Sequence, residues 1–446
     1  MTEQTKNLKK DFNILFNIVI NRGLCTRCGI CAGVCPTKAI TFDENAFPQL
    51  SGNCTKCGFC NRCCPGKDVN FPELSHRIFN TDYIPDNPRG FVQNIYVGHP
   101  TQKKIRRAGT SGGLVTGLLI YLLQKKEIDG AIVVAMDSHK GYLTQGILAT
   151  TSEEILDAAQ SKYCITPSMN VLQTIRKQKG RFAVVALPCQ LHGLRKLELV
   201  DPSLANKICY YFGLFCHCNL DVNSHLDAIK VCNIDLDEVK KFQFRGNGWP
   251  GGFHVQKKDG SEISLHKINA KNVMNVMFRI YGSKRCYLCY DALAEYADLS
   301  FGDFWAFDYT GEWSKRERCT LVYQRTKRGK ILLEEAMANG AIHMNTLPPE
   351  RDSRRILQMA TGKKNNTIAR LYERKKKGYS NPNYFFPLPE PTRQTKRSIK
   401  LYNLFQLLRG PLRRKMVLWI LFSPIGAFLD RLNIIRKNTF HNYHNN

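Results

Sequence analysis

Twelve of the eighteen cysteines fall in patterns that suit redox metal chemistry. Cys25, Cys28, Cys31 and Cys35-Pro36 form C-x2-C-x2-C-x3-C-P, and Cys54, Cys57, Cys60 and Cys64-Pro65 repeat it twenty-nine positions later. Three closely spaced thiolates wrap one cubane, while the fourth, before proline, reaches the neighbouring cubane. The spacing therefore assigns Cys25, Cys28, Cys31 and Cys64 to one [4Fe–4S] cluster, and Cys54, Cys57, Cys60 and Cys35 to a second. Structural zinc uses two separated C-x2-C pairs, which a third cysteine at the same short step, twice over, does not fit. Cys63 stands directly before Cys64 and competes with it as the fourth ligand of the second repeat; the following proline favours Cys64.

Four more cysteines make a possible third site. Cys189 follows an apolar run at 182–187, Cys216 and Cys218 follow another at 208–215, and Cys286 and Cys289 form a further C-x2-C. If the two runs are parallel strands, Cys189 and Cys216 lie on one carboxyl edge, where α/β sheets bind ligands. Cys189, Cys216, Cys286 and Cys289 are the set expected for a third [4Fe–4S] cluster, with Cys218 the rival of Cys216. Cys164, Cys209, Cys232 and Cys319 are expected to pack as small apolar residues. Gly109-Thr110-Ser111-Gly112-Gly113 opens a helical stretch at 114–124, so its backbone N–H groups can hold a pyrophosphate; alone, the loop reads first as an ordinary turn and helix cap. His217 is a candidate proton donor, and Asp303 a candidate cofactor or turn residue.

The elements positioning these residues change character along the chain. Residues 1–22 read as an amphipathic lead-in and 23–72 as the cluster segment, with short strands expected at 39–42 and 68–71. Residues 73–95, with Pro85 and Pro88, read as a linker. From 96, buried strand patterns at 130–135, 182–187, 208–215 and 299–301 alternate with helical stretches, which argues for an α/β domain. The fold class expected is an α+β cluster domain followed by an α/β domain over 96–180 and 181–345, then a basic helical tail over 346–446.

At 446 residues the chain is long enough for two or three domains. Its net charge of +28 is uneven: residues 361–446 hold 18 Lys and Arg against Glu373, Glu390 and Asp430, a net +15. The basicity thus belongs to the tail, and no nucleic-acid partner is expected. The polar start lacks an export pattern, and cluster ligation needs reduced thiols, so a cytoplasmic setting is expected. Met416 to Leu429 is apolar and flanked by Arg413-Arg414-Lys415 and Arg431. A span needs about 20 such residues, so the reading is peripheral contact with an anionic membrane, against the alternative of a docking helix.

Taken together, Thr110-Ser111-Gly112-Gly113, Ser161-Lys162-Tyr163, Leu187-Pro188-Cys189-Gln190, Gly213-Leu214-Phe215-Cys216-His217, Cys286-x2-Cys289 and Ala297-Asp298-Leu299-Ser300-Phe301-Gly302-Asp303 resemble the coenzyme F420 hydrogenase/dehydrogenase beta-subunit family. The cysteine repeat resembles a two-cluster ferredoxin domain. The resemblance runs from about residue 20 to residue 330. It implies an FAD-dependent iron–sulfur oxidoreductase with a flavin-binding domain, FAD held by Gly109, Thr110, Ser111, Gly112 and Gly113 with Lys162 and Tyr163, and a third cluster beside the flavin in some members. Lys162, Tyr163 and His217 are then the candidate catalytic residues. The expected partners are a redox donor or acceptor such as ferredoxin or another enzyme subunit, and a small-molecule or lipid-linked substrate; F420 is the substrate of only part of the family. The alternative is an electron-transfer subunit that relays electrons without flavin chemistry.

Overall fold

The computed structural model describes residues 11–248, 251–265, 270–304, 318–351 and 354–431. In the cysteine-rich segment, Ile40–Phe42 (β1) and Pro48–Leu50 (β2) pair antiparallel, placing a strand where the first repeat leads one to expect it. Its counterpart at 68–71 does not form. Asn70 caps a helix, Phe71–Phe79, that has Pro72 in its first turn, a start signal that overrides the strand pattern. This helix occupies the beginning of the stretch expected as linker, and the remainder is pinned by Phe79 stacking on Phe91 at 4.7 Å.

Asn94–Pro100 (β3), Gly130–Met136 (β4), Thr144–Ala149 (β5), Phe182–Ala186 (β6) and Ile208–Leu214 (β7) come next. Val239–Gly246 (β8), Gly252–Lys257 (β9) and Glu262–Ser264 (β10) form a separate antiparallel sheet. Leu299–Asp303 (β11), Thr320–Gln324 (β12) and Ile342–Thr346 (β13) return to the main one. Its order is β13-β3-β12-β11-β7-β6-β4-β5. The four central strands β11, β7, β6 and β4 are parallel, and antiparallel strands flank them. Strands covered on both faces carry apolar side chains almost continuously, which is the pattern of Gly130–Met136 and Phe182–Ala186. The boundary expected at 180/181 thus falls between neighbours of one sheet, β4 and β6.

One face of the sheet packs under Leu118, Leu119 and Leu122 from the Leu114–Gln124 helix and Leu332 and Leu333 from Lys327–Ala338. The other face receives Leu191, Leu194 and Leu197 of the Pro188–Val200 helix, together with Ile30, Val34 and Cys63 of the cluster segment. Each such side chain contributes about 2 kcal/mol on leaving water. The cluster segment is therefore seated on the sheet rather than tethered beside it.

The basic C-terminal stretch is helical, as its composition suggests, but its first helix is part of the core. Arg354–Lys376 buries Ile356 and Ala360 in one cluster and Ile368 and Leu371 in another, alongside Phe71 and Leu24. Arg393–Gln406, Pro411–Phe422 and Pro424–Arg431 follow. Among the described residues, no helix is long and apolar enough to cross a membrane.

Candidate metal centre

The two cysteine repeats fold alike. Arg27 and Lys56, twenty-nine apart, have φ of 56° and 57°, and Gly29 and Gly58 have φ of 88° and 76°. These left-handed residues lead into the one-turn helices Ile30–Gly33 and Phe59–Arg62, which carry Cys31 and Cys60. At Gly29 a side chain is excluded outright, because a Cβ would lie 2.2 Å from the Pro167 carbonyl.

Cys25, Cys28, Cys31 and Cys64 line one cavity of about 320 Å³, its open mouth included. Cys35, Cys54, Cys57 and Cys60 line a second of about 310 Å³. The fourth cysteine of each repeat has crossed to the other repeat's cavity. Cys64 borders the first cavity, whereas Cys63 lines neither and is fully buried against the sheet-side core. Burial pushes the Cys25 thiol to about 12 and the Cys28 thiol to about 11, with the charge of Cys64 adding to both. Backbone N–H groups of Arg27 and Ala39 donate to the Cys25 and Cys35 sulfurs at 3.4 and 3.3 Å. These cysteines would hold a cluster as thiolates, their protons lost on binding iron, and the sulfur-directed N–H groups would tune its potential.

The parallel pairing of β6 and β7 puts Cys189 and Cys216 on one carboxyl edge, and the chain brings Cys286 and Cys289 to them. Burial raises the Cys189 thiol well above its ordinary value, with Cys289, Cys28, Cys286 and Cys216 raising it further. Cys218 stands close to the same group, hydrogen-bonded to Cys286 and donating to the Asn219 carbonyl at 3.4 Å. The Asn219 N–H donates to the Cys286 sulfur at 3.4 Å. Two buried cations attend this group. Lys363 donates to the Cys216 and Asp291 carbonyls at 2.6 and 2.9 Å, and Arg285 donates to the Leu24 carbonyl at 2.9 Å, tying it to the first cavity's segment. The three four-cysteine groups lie in series. Cys60 is near enough to raise the Cys31 thiol across the first junction, and Cys28 the Cys189 thiol across the second.

The glycine loop packs against the start of β12 and the end of β11. Gly112 and Gly113 have φ of 109° and 75°, and a Cβ on Gly113 would meet the Ile105 carbonyl at 2.4 Å, so these glycines are demanded by the loop's own packing. Thr110 Oγ1 accepts from the Ser161 N–H at 2.9 Å, and Thr320 Oγ1 donates to the Ser111 carbonyl at 2.8 Å. Asp303 accepts from the Ser111 hydroxyl on one oxygen and from Arg245 at 2.7 Å on the other. Tyr163 joins the same group through Arg245, 3.4 Å from its hydroxyl. Lys162 turns back: its ammonium donates to the Ala158 carbonyl and, at 2.7 Å, to that of Ala159. Burial, with repulsion from Lys241, lowers its pKa to about 7. Phe278 links the two halves of the site, its ring 6.0 Å from Tyr163 and 6.2 Å from His217. Burial, then Lys363 and Arg370, hold His217 down to about 4, so its imidazole is uncharged near neutral pH.

Known proteins resemble the chain in sequence and fold. The profile for the coenzyme F420 hydrogenase/dehydrogenase beta-subunit N-terminus matches residues 95–173, and that for the C-terminus matches residues 179–350. The chain belongs to the coenzyme F420 hydrogenase/dehydrogenase beta-subunit family. A 4Fe-4S binding domain profile matches residues 18–41, the first cysteine repeat. The coenzyme F420-dependent sulfite reductase of Methanocaldococcus jannaschii is 31% identical over 304 residues, which are 64% of this chain and 43% of that protein. The coenzyme F420 hydrogenase subunit beta of Methanothermobacter thermautotrophicus is 27% identical over 300 residues, 66% of this chain and 99% of that one. A chain of the F420-reducing [NiFe] hydrogenase complex from Methanosarcina barkeri superposes with a TM-score of 0.52 at 25% identity, covering 66% of this chain and 96% of its own.

Several residues around the loop escape a reading by motif. Arg245 opens a glycine-rich turn with no pattern of its own for chemistry, and Arg318 reaches the Gly109 carbonyl at 3.2 Å. Lys363 did leave a signal. It lies in the buried stripe of its helix with Ile356, Ala360, Lys364, Thr367, Ile368 and Leu371, so two lysines stand at helical core spacing.

Proposed function

We propose that the chain is an iron–sulfur flavoprotein oxidoreductase subunit, passing electrons between ferredoxin-type [4Fe–4S] clusters and FAD to reduce or oxidise an organic or deazaflavin-like substrate. The observation that carries this reading is the set of twelve cysteines in three consecutive groups of four, the last joined to the Arg245–Asp303 cradle by way of His217, Phe278 and Tyr163. Clusters move one electron at a time and a flavin one or two, a reason to combine them in one chain. The donor set fits both groups: buried thiols with sulfur-directed N–H groups for the clusters, and hydroxyls, an arginine and a helix start for a pyrophosphate.

In this reading Cys25, Cys28, Cys31 and Cys64 hold one cluster, Cys35, Cys54, Cys57 and Cys60 the second, and Cys189, Cys216, Cys286 and Cys289 the third. Thr110, Ser111 and Arg245 bind the dinucleotide, Asp303 orients Ser111 and Arg245, and Tyr163 walls the ring site. Lys162, held by helix-end carbonyls and lowered to a pKa of about 7, carries a positive charge or releases a proton near the cofactor. The partner is another redox subunit or ferredoxin, supported by the subunit names of the relatives, and the setting is cytoplasmic. The relay-only alternative draws on one observation, the engagement of Lys162 with its own helix end.

The test is iron, sulfide and acid-released flavin per chain in anaerobically purified protein. Roughly twelve irons with one FAD is the expected result. About eight irons with FAD would remove the third cluster, and clusters without flavin after reconstitution would leave the relay as the function.

A further inference from the structure

The Pro411–Phe422 helix divides its surface in two. Leu418, Leu421 and Phe422 are buried against the body near the Ser224–Val231 helix, and Arg414 lies 4.6 Å over the Tyr281 ring, fixing which side faces inward. Leu412, Met416 and Trp419, spaced four and three apart, stand outward at 82%, 55% and 56% exposure. At about 100° per residue they form one stripe, and Arg413 and Lys415, both exposed, fall on its opposite rims. The next helix, Pro424–Arg431, exposes two more apolar side chains, Ile425 and Phe428, at 48% and 59%. From residue 391 to residue 429 the chain has eight Lys and Arg and no Asp or Glu.

We propose that this face binds the surface of an anionic lipid bilayer, independently of the redox reading. An apolar stripe with a tryptophan enters the headgroup boundary while cations on its rims pair with lipid phosphates. The pair of helices is too short to span, so the protein lies on the membrane. A protein partner would need to supply an apolar groove and a fully acidic rim together; an anionic bilayer supplies both everywhere.

The test uses the full-length protein with vesicles of phosphatidylcholine alone, or phosphatidylcholine with one-third phosphatidylglycerol. The expected result is pelleting with the anionic vesicles and little with the neutral ones. Met416→Glu with Trp419→Glu, and separately Arg413→Glu with Lys415→Glu, should each weaken vesicle binding about tenfold or more. All four side chains are exposed, so iron content should be unchanged and the Met416/Trp419 pair should melt as the parent does; the Arg413/Lys415 pair also loses the Arg413 bond to the Leu407 carbonyl, 2.7 Å. Trp419 fluorescence should be quenched by brominated lipid, and the quenching lost in Trp419→Phe. Equal binding to neutral vesicles, no pelleting, or variants that bind like the parent would overturn the proposal. So would concentration-dependent self-association abolished by the Met416/Trp419 pair without lipid binding, which would make the face a contact between copies.

Discussion

The ammonium of Lys363 lies 2.6 Å from the backbone carbonyl of Cys216, inside the protein, and reaches the Asp291 carbonyl as well. Burial works against its charge, but Cys289, Cys216 and Cys286 outweigh it and hold the lysine above its usual value. The same pairing seen from the other side is the pull of Lys363 on a Cys216 thiol that burial pushes to about 12. A fixed cation beside a cluster favours the reduced, more negative form. Lys363→Gln keeps a donor and removes the charge. The expected outcome is a fall of roughly 60 mV or more in the potential of the third centre, tenfold in the one-electron equilibrium. A redox titration followed by electron paramagnetic resonance measures it, and an unchanged potential at full iron content would count against the role.

Cys63 and Cys64 make a second experiment. Cys64→Ala should lose roughly four irons per chain, because Cys64 completes the first cavity. Cys63→Ala should keep its iron and cost about 1 kcal/mol of stability, the loss of a small buried group. Iron analysis and melting separate the two, and the opposite pattern would reassign the ligand.

The Arg245–Asp303 pair is mostly buried, with side-chain exposures of 7% and 18%. Asp303→Asn leaves a buried guanidinium without its counter-charge, at a cost of about 3 kcal/mol, and loosens Ser111. Flavin retained after desalting should drop along with the melting temperature. A variant that melts lower yet holds flavin as the parent does would show that the pair is structural only.

His225 packs against Phe242 and Phe244 and shares a hydrogen bond with the Tyr142 carbonyl. Burial lowers its pKa from 6.5 to about 4. The unfolded chain therefore takes up a proton that the folded one refuses, so stability falls as pH drops through 6.5 and levels off below about 4. The loss amounts to about 3 kcal/mol. His225→Phe should flatten that part of the acid dependence of the unfolding midpoint; curves of equal slope for variant and parent would contradict it.

Much of the central sheet was readable in advance, because doubly covered strands leave an unbroken apolar signature. The runs at 130–135, 182–187 and 208–215 became β4, β6 and β7 with ends shifted by a residue at most. The strand expected at 68–71 was lost to a stronger local signal, the Asn70 cap and Pro72. The basic stretch after 346 reads as solvent-facing from its charge. Yet Lys363 and Lys364 are buried because carbonyls and the Glu295 carboxylate, 2.9 Å from Lys364, receive them. Charge alone carries no information about partners that lie seventy residues away.

By itself the sequence determined the eight-cysteine repeat and its crossed grouping, since spacing within a few residues dictates which thiolates one small cluster can collect. The proline after Cys64 favours it over Cys63, and the tertiary structure puts Cys64 at the first cavity with Cys63 in the core; only the tertiary structure brings Cys189, Cys216, Cys286 and Cys289 near one another. It also placed Arg245 on Asp303. Those neighbours come from the ends of separate strands and loops, and their meeting depends on sheet order and helix packing, which no local spacing encodes.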